Sequence, residues 1–269
     1  MIYIGETYEQ SGNLKGKMYR MSTRTISTGW TYQLNPNNWT MSTLFSFNTP
    51  ITASATTSVD EKENIWVYFG TGKYLNNDDK MDTTYQYFYG IKDPCAYGGC
   101  TNEVSLANVY NSINIVILTN KEVVGATATT WDAFVDEVQA KQGWYINLVN
   151  GGERVLTRPS ILGGVVLFSA FKPENDICGY GGTGSLYGLY YETGTSYYKP
   201  VLGTEAYGHE TKSLKRVELD KGVTSEVGLH VGKKATSTGF VQQSTGAVIQ
   251  IDVNPAFNIR SGIIGWQQY

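Results

Sequence analysis

A short apolar pattern recurs four times along the chain and narrows its fold more than any other feature. Each copy is an apolar, bulky, any, apolar tetrad: Met18-Tyr19-Arg20-Met21, Phe88-Tyr89-Gly90-Ile91, Leu186-Tyr187-Gly188-Leu189 and Val248-Ile249-Gln250-Ile251. A loop of variable length separates each tetrad from an earlier apolar run, at residues 2–4, 65–69, 165–171 and 239–242. Earlier still lie strand-like segments at 51–59, 159–162 and 227–231, set off by turn residues at 60–64, 163–164 and 232–237. Apolar runs of this length bounded by glycine and polar turn residues read as strands. Three successive antiparallel strands therefore recur, and β-rich pieces after the tetrads, at 30–34 and 144–148, supply a fourth, outer strand.

Four strands per repeat is the blade of a β-propeller. The fold expected is all-β, an irregular β-propeller of four-stranded blades forming one domain over 1–269. At roughly 40 to 50 residues per blade, the length accommodates about six, with insertions accounting for the uneven spacing. Thirty glycines, twenty tyrosines and only 17% charged residues agree with many short strands joined by tight turns. One segment breaks the pattern. Trp131, Phe134, Val135 and Val138 fall on one face at helical spacing behind a Thr130 cap, which predicts a short inserted helix near 130–141. The first repeat begins at its second strand, which would leave a bare sheet edge, so the natural polypeptide is expected to extend upstream. Closure by the C-terminal segment is the alternative.

Composition also removes whole classes of function. A formal charge of −3 without a basic run does not provide the electrostatic footprint of a nucleic-acid binder. No apolar stretch approaches the roughly 20 residues of a membrane-crossing helix. The two histidines, His209 and His230, sit in no nucleophile motif, and Asp78 and Asp79 are neighbours only in sequence. Residues 179–184 match a dinucleotide fingerprint, but strand-like residues follow where a helix N-terminus would have to bind the pyrophosphate. Neither a catalytic set nor a cofactor site is expected.

Several blocks resemble the C-terminal propeller of the PilY/PilC family of type IV pilus assembly and tip-adhesin proteins. The first runs from Ile51-Thr52-Ala53-Ser54 through Ile65-Trp66-Val67-Tyr68-Phe69-Gly70-Thr71-Gly72-Lys73-Tyr74-Leu75 to Phe88-Tyr89-Gly90-Ile91-Lys92-Asp93. The second comprises Gly143-Trp144-Tyr145, Gly152-Glu153-Arg154-Val155, and Cys178 leading into Gly181-Gly182-Thr183-Gly184-Ser185-Leu186-Tyr187. The third joins Gly222-Val223 through Ser244-Thr245-Gly246 to Gly265-Trp266. The blocks follow the family's order over almost the whole chain. The resemblance implies a bacterial, secreted or cell-surface module with minor pilins and a host or abiotic surface as partners, acting in pilus biogenesis and adhesion. It also implies a longer secreted parent of which this is the C-terminal part. The resemblance also implies calcium as a candidate cofactor, but no motif here supports the family's calcium loop, because Lys80 within 76–82 and Lys62 within 60–64 fall where ligands are needed.

Two candidate sites remain. Cys95 and Cys100 bracket a flexible Ala-Tyr-Gly-Gly loop and form a candidate disulfide, leaving Cys178 free or able to displace one of them; buried thiols are the alternative. Exposed members of the tyrosine clusters, with Tyr190, Tyr197 and Tyr198 foremost, are candidates for a recognition surface. The competing functional readings are a quinoprotein-type propeller enzyme, which the absence of an adjacent cysteine pair disfavours, and a carbohydrate-binding propeller.

Overall fold

A computed structural model describes residues 1–26, 30–32, 35–98, 100–174, 181–231 and 237–257. Nearly all regular structure is strand, with one α-helix among the described residues. Four larger sheets follow one another along the chain, and the strands within each are mostly antiparallel neighbours in sequence order. All four tetrads lie on strands. Each pairs with the apolar run that precedes it: Ile2–Gln10 with Asn13–Ser22, Ile65–Gly70 with Tyr87–Lys92, Val165–Pro173 with Gly182–Tyr190, and Ser237–Gln242 with Val248–Val253.

The sheets depart from a uniform four strands. The first has three, the second five, the third four and the fourth three among the described residues, and none closes on itself. Among the described residues, three two-stranded hairpins accompany them. In the second sheet, Tyr110–Asn111 adds a parallel strand beyond Gly143–Asn147. In the first, the outer strand is Thr40–Phe47, whereas Trp30–Tyr32 folds back on Arg24–Ile26 as a separate hairpin. This corrects the expected outer strand at 30–34. Thr40–Phe47 buries Leu44, Phe45 and Phe47 there, and that apolar burial stabilises it in the place.

Alternation of side chains determines how the sheets pack. In the second sheet, Trp66, Tyr68, Phe88, Trp144 and Ile146 face a large core shared with the third and fourth sheets. Val67, Phe69, Tyr89 and Ile91 point the other way into a core shared with the first sheet. A sheet covered on both faces needs strands apolar at nearly every position, which is why its runs show little polar alternation. The Phe88 and Phe168 rings stack at 3.8 Å, and Phe168 stacks on Tyr187 at 4.8 Å, joining the second sheet to the third. The helix spans Trp131–Gln139 and buries Trp131, Phe134 and Val138. Thr130 holds the N-cap position in extended backbone, although its side chain makes no capping hydrogen bond.

Candidate functional site

The inserted helix determines what becomes of the tyrosines expected at a recognition surface. Its first residue, Trp131, is ringed by Tyr190 at 5.2 Å, Tyr197 at 5.2 Å and Tyr198 at 5.5 Å, each edge-on. Tyr190 and Tyr197 stack on each other at 5.1 Å. Both are only 7% exposed, and Tyr198 packs on the same core while Lys121 and Lys199 lie over its ring. Tyr190 and Tyr197 are therefore interior rather than presented to solvent. Edge-to-face aromatic contacts add to the burial of area, and here they fasten the helix to the third sheet.

Beside this cluster lies a recess of about 470 Å³, with walls that include Trp131, Tyr191 and Phe257 and a rim carrying Glu61, Asp132 and Asp136. Glu192 lies within it, 5% exposed, and accepts a hydrogen bond from the Tyr190 hydroxyl at 3.3 Å. Burial raises the Glu192 carboxyl above its ordinary range and the nearby Asp60 charge adds to the effect, outweighing the hydrogen bonds that lower it. The rim also holds Lys62, whose ammonium bonds the Gln139 amide oxygen.

A second constellation joins the first two sheets. Arg20, 2% exposed, donates to the buried Asp93 carboxylate, to Ser42 Oγ at 3.0 Å, and to the carbonyl oxygens of Thr43 (3.0 Å) and Asn102. Asp93 also accepts from the Tyr3 hydroxyl and the Cys95 amide, each at 2.8 Å. The loop this anchors is the one the cysteines bracket: Cys95 and Cys100 are joined in a disulfide with Cα atoms 5.3 Å apart. Cys178 lies outside the described residues. Cross-linking so short a loop removes limited chain entropy, so replacing both Cys95 and Cys100 by alanine is expected to lower stability by about 2 kcal/mol, read by urea unfolding. A loss below a few tenths of a kcal/mol would show that the loop is held by Arg20 and Asp93 alone.

The two loops with some likeness to a calcium turn use their oxygens within the protein. Asp79 receives the Lys73 ammonium and the amides of Leu75 (2.7 Å) and Asn76 (3.2 Å). The buried Arg154 guanidinium meanwhile takes the carbonyl oxygens of Lys73 and Asp79 at 2.8 Å and of Asp82 at 2.9 Å. A guanidinium thus occupies the convergent oxygens a hard cation would need, and these residues do not fit calcium.

Asp60 accepts from the amides of Lys62 (2.9 Å) and Asn64 (2.8 Å), the Asn64 side chain and the Trp66 indole (both 2.9 Å). Burial alone would raise the Asp60 carboxyl, but these bonds outweigh it and hold the group below the usual carboxylate range. A depressed folded value contributes stability that is complete above the unfolded value, near pH 4, and is lost as pH falls through the folded one. Acid titration of unfolding free energy should therefore show the native chain losing more stability below about pH 4 than Asp60→Asn loses. Parallel curves would contradict this assignment.

No paired nucleophile and base emerges from the remaining sequence candidates. His209 sits exposed at the turn between Thr204–Tyr207 and Glu210–Ser213, and His230 is exposed on Gly228–Val231. Asp78 and Asp79 lie in the short turn of helix Asn77–Met81, where Asp79 completes a capping box with Asn76. Of the dinucleotide-like segment, residues 179–180 lie outside the described residues, and the glycines from Gly182 onward enter the strand Gly182–Tyr190. No helix among the described residues is long and apolar enough to cross a membrane.

Successive antiparallel sheets stacked face to face place the chain among propeller-like β domains. The crystal structure of the Pseudomonas aeruginosa PilY1 C-terminal domain superposes with a TM-score of 0.65 over 94% of this chain and 60% of that one, at 17% identity. In sequence, the chain is 31% identical over 139 residues to the type IV pilus biogenesis factor PilY1 of Pseudomonas aeruginosa, covering 46% of this chain and 12% of that protein. A PilY1 homolog of Xylella fastidiosa is 23% identical over 176 residues, covering 59% of this chain and 13% of the relative. No family model matches. The resemblance read from the residues is thereby borne out as one to the C-terminal PilY1-type domain, and the chain aligns with roughly an eighth of those relatives' length.

Proposed function

We propose that this chain is a non-enzymatic module in type IV pilus biogenesis, acting by contact with pilus components and serving in surface adhesion. In this reading, 1–269 is one domain of a longer secreted polypeptide at the bacterial cell surface, and its sheets are blades of an irregular propeller ring. The observation that carries the reading is the coincidence of two comparisons: relatives bearing the name of a pilus biogenesis factor, and a likeness of shape over 94% of the chain to the C-terminal domain of one of them. Contact rather than catalysis also accords with the distribution of chemistry, since the buried ionisable groups Asp93, Asp79 and Glu153 all serve protein partners.

The test is direct association. Purified chain immobilised on a sensor should bind purified minor pilins of the same bacterium saturably, and bind an unrelated β protein of similar charge no better than a blank surface. Equal binding to both, or to neither, would overturn the reading.

A further inference from the structure

A second cleft, of about 400 Å³, opens where the first sheet meets the second, and Tyr8, Lys15, Asn48, Tyr87, Tyr89 and Tyr145 are among the residues lining it. Its size lies within the roughly 300–1,000 Å³ of small-molecule sites. The sheet geometry explains why tyrosines gather there. Tyr87 and Tyr89 are two apart on one strand and so share a face, and Tyr145 stands directly opposite Tyr89 in the antiparallel register. The three rings lie 6.1–6.3 Å apart. Tyr8 reaches the same cleft from the first sheet, with the Lys17 ammonium 4.7 Å from its ring centre.

The hydroxyls distinguish this cluster from ordinary core packing. Tyr89 is 4% exposed, its ring clasped by Phe45 (5.2 Å), Phe69 (5.3 Å) and Phe47 (5.5 Å). Its hydroxyl makes no hydrogen bond to another described residue, yet is not sealed off among the buried unpaired atoms, so it keeps an opening to the cleft. The hydroxyls of Tyr8, Tyr87 and Tyr145 likewise have no hydrogen-bond partner among the described residues. By contrast, the buried hydroxyls of Tyr68 and Tyr187 in the other core are both bonded within the protein, at 3.0 Å to the Tyr191 carbonyl and to Glu153. A nearly buried phenol left unpaired is costly unless water or a ligand satisfies it.

Ring faces combined with unpaired hydroxyls, an amide at Asn48 and an ammonium at Lys15 match one ligand chemistry well. A sugar ring presents a C–H face for stacking and a rim of groups that both donate and accept hydrogen bonds. A purely apolar ligand would leave the phenols unpaired. We propose that this cleft is a saccharide-binding site, in which a neutral sugar ring lies against the half-buried rings of Tyr8, Tyr87 and Tyr145 and is hydrogen-bonded by the phenols and Asn48. The proposal does not rest on the pilus reading and would hold for the isolated domain.

The sugar chemistry has two sources, glycans of a host surface and polysaccharides of bacteria, so the test has two arms. The chain would be applied to one array of host-type glycans and one of bacterial polysaccharides, with affinities of positives measured by calorimetry. Saturable binding in either arm is expected, and the arm identifies the source. Tyr87→Phe and Tyr145→Phe, which remove only hydroxyls, should each weaken it about five- to tenfold, and Tyr8→Ala should do so by loss of stacking. Tyr207→Phe, on a hairpin that does not line the cleft, should leave it unchanged. Thermal midpoints of the phenylalanine variants report on folding. Absence of binding in both arms, or binding indifferent to all three cleft substitutions in folded protein, would overturn the proposal.

Discussion

Replacing Trp144 by alanine is expected to lower the free energy of unfolding by about 3–5 kcal/mol, the range for deleting a fully buried large aromatic side chain. Trp144 is 0% exposed and belongs to the core shared by the second, third and fourth sheets. Its ring packs near Tyr68 at 6.0 Å and Phe88 at 6.1 Å, and its indole N–H donates to the Tyr191 carbonyl at 2.9 Å. Two glycines make room for it. A Cβ on Gly90 would lie 2.5 Å from the indole, and one on Gly194 would lie 2.2 Å from it, the latter at a φ of +69°. Gly194→Val should thus approach the alanine variant in cost, because it adds left-handed backbone strain to the clash. Guanidinium unfolding followed by circular dichroism measures both. A loss under about 1 kcal/mol for Trp144→Ala would mean that the second and third sheets are not joined through this residue.

Arg20→Met should cost about 3–5 kcal/mol for a different reason, since it leaves a buried carboxylate without its counter-ion. The Asp93 side chain is 0% exposed, and the other Arg20 bonds satisfy groups on Thr40–Phe47 and the following loops. Changing Asp93 to asparagine in the Arg20→Met background should recover part of the loss. The amide oxygen keeps an acceptor for the Cys95 N–H, and its NH2 group can donate to the Tyr3 hydroxyl, without a buried charge. A double-mutant cycle reads the coupling directly. If the two substitutions simply add, the ion pair is not what holds the first sheet against the second.

Much of the strand order was legible because it is written in short apolar runs bounded by glycine and polar turn residues. The tetrads are visible as short apolar runs, and Phe88 and Ile91, on opposite faces of one strand, are both fully buried because that sheet is covered on both sides. The helix was equally legible, since Trp131, Phe134 and Val138 lie on one face at helical spacing. What failed depended on partners distant in sequence. Residues 30–32 look as apolar as Thr40–Phe47, and only the pairing of Gly16 through Ser22 with the latter decides which becomes the outer strand.

The tyrosines show the same limit. Tyr190 and Tyr197 look as exposable as any pair in a loop-rich segment, but Trp131, some sixty residues earlier, covers them. Conversely, Tyr8, Tyr89 and Tyr145 belong to three strands of two sheets, so their convergence required register and packing that no local pattern carries. The only local hint was the Tyr85, Tyr87, Tyr89 alternation, which places members two apart on one face. Arg154 was visible as part of a motif. That its guanidinium would take the oxygens of the loop at 73–82 was not.

The most direct test of the pilus role is an in-frame deletion of residues 1–269 in the bacterium that carries the gene, with surface pili counted by electron microscopy. Pilin levels would be measured alongside. The expected result is a strong loss of surface pili at unchanged pilin levels, restored by supplying the intact gene. Wild-type pilus numbers in the deletion strain would contradict the account.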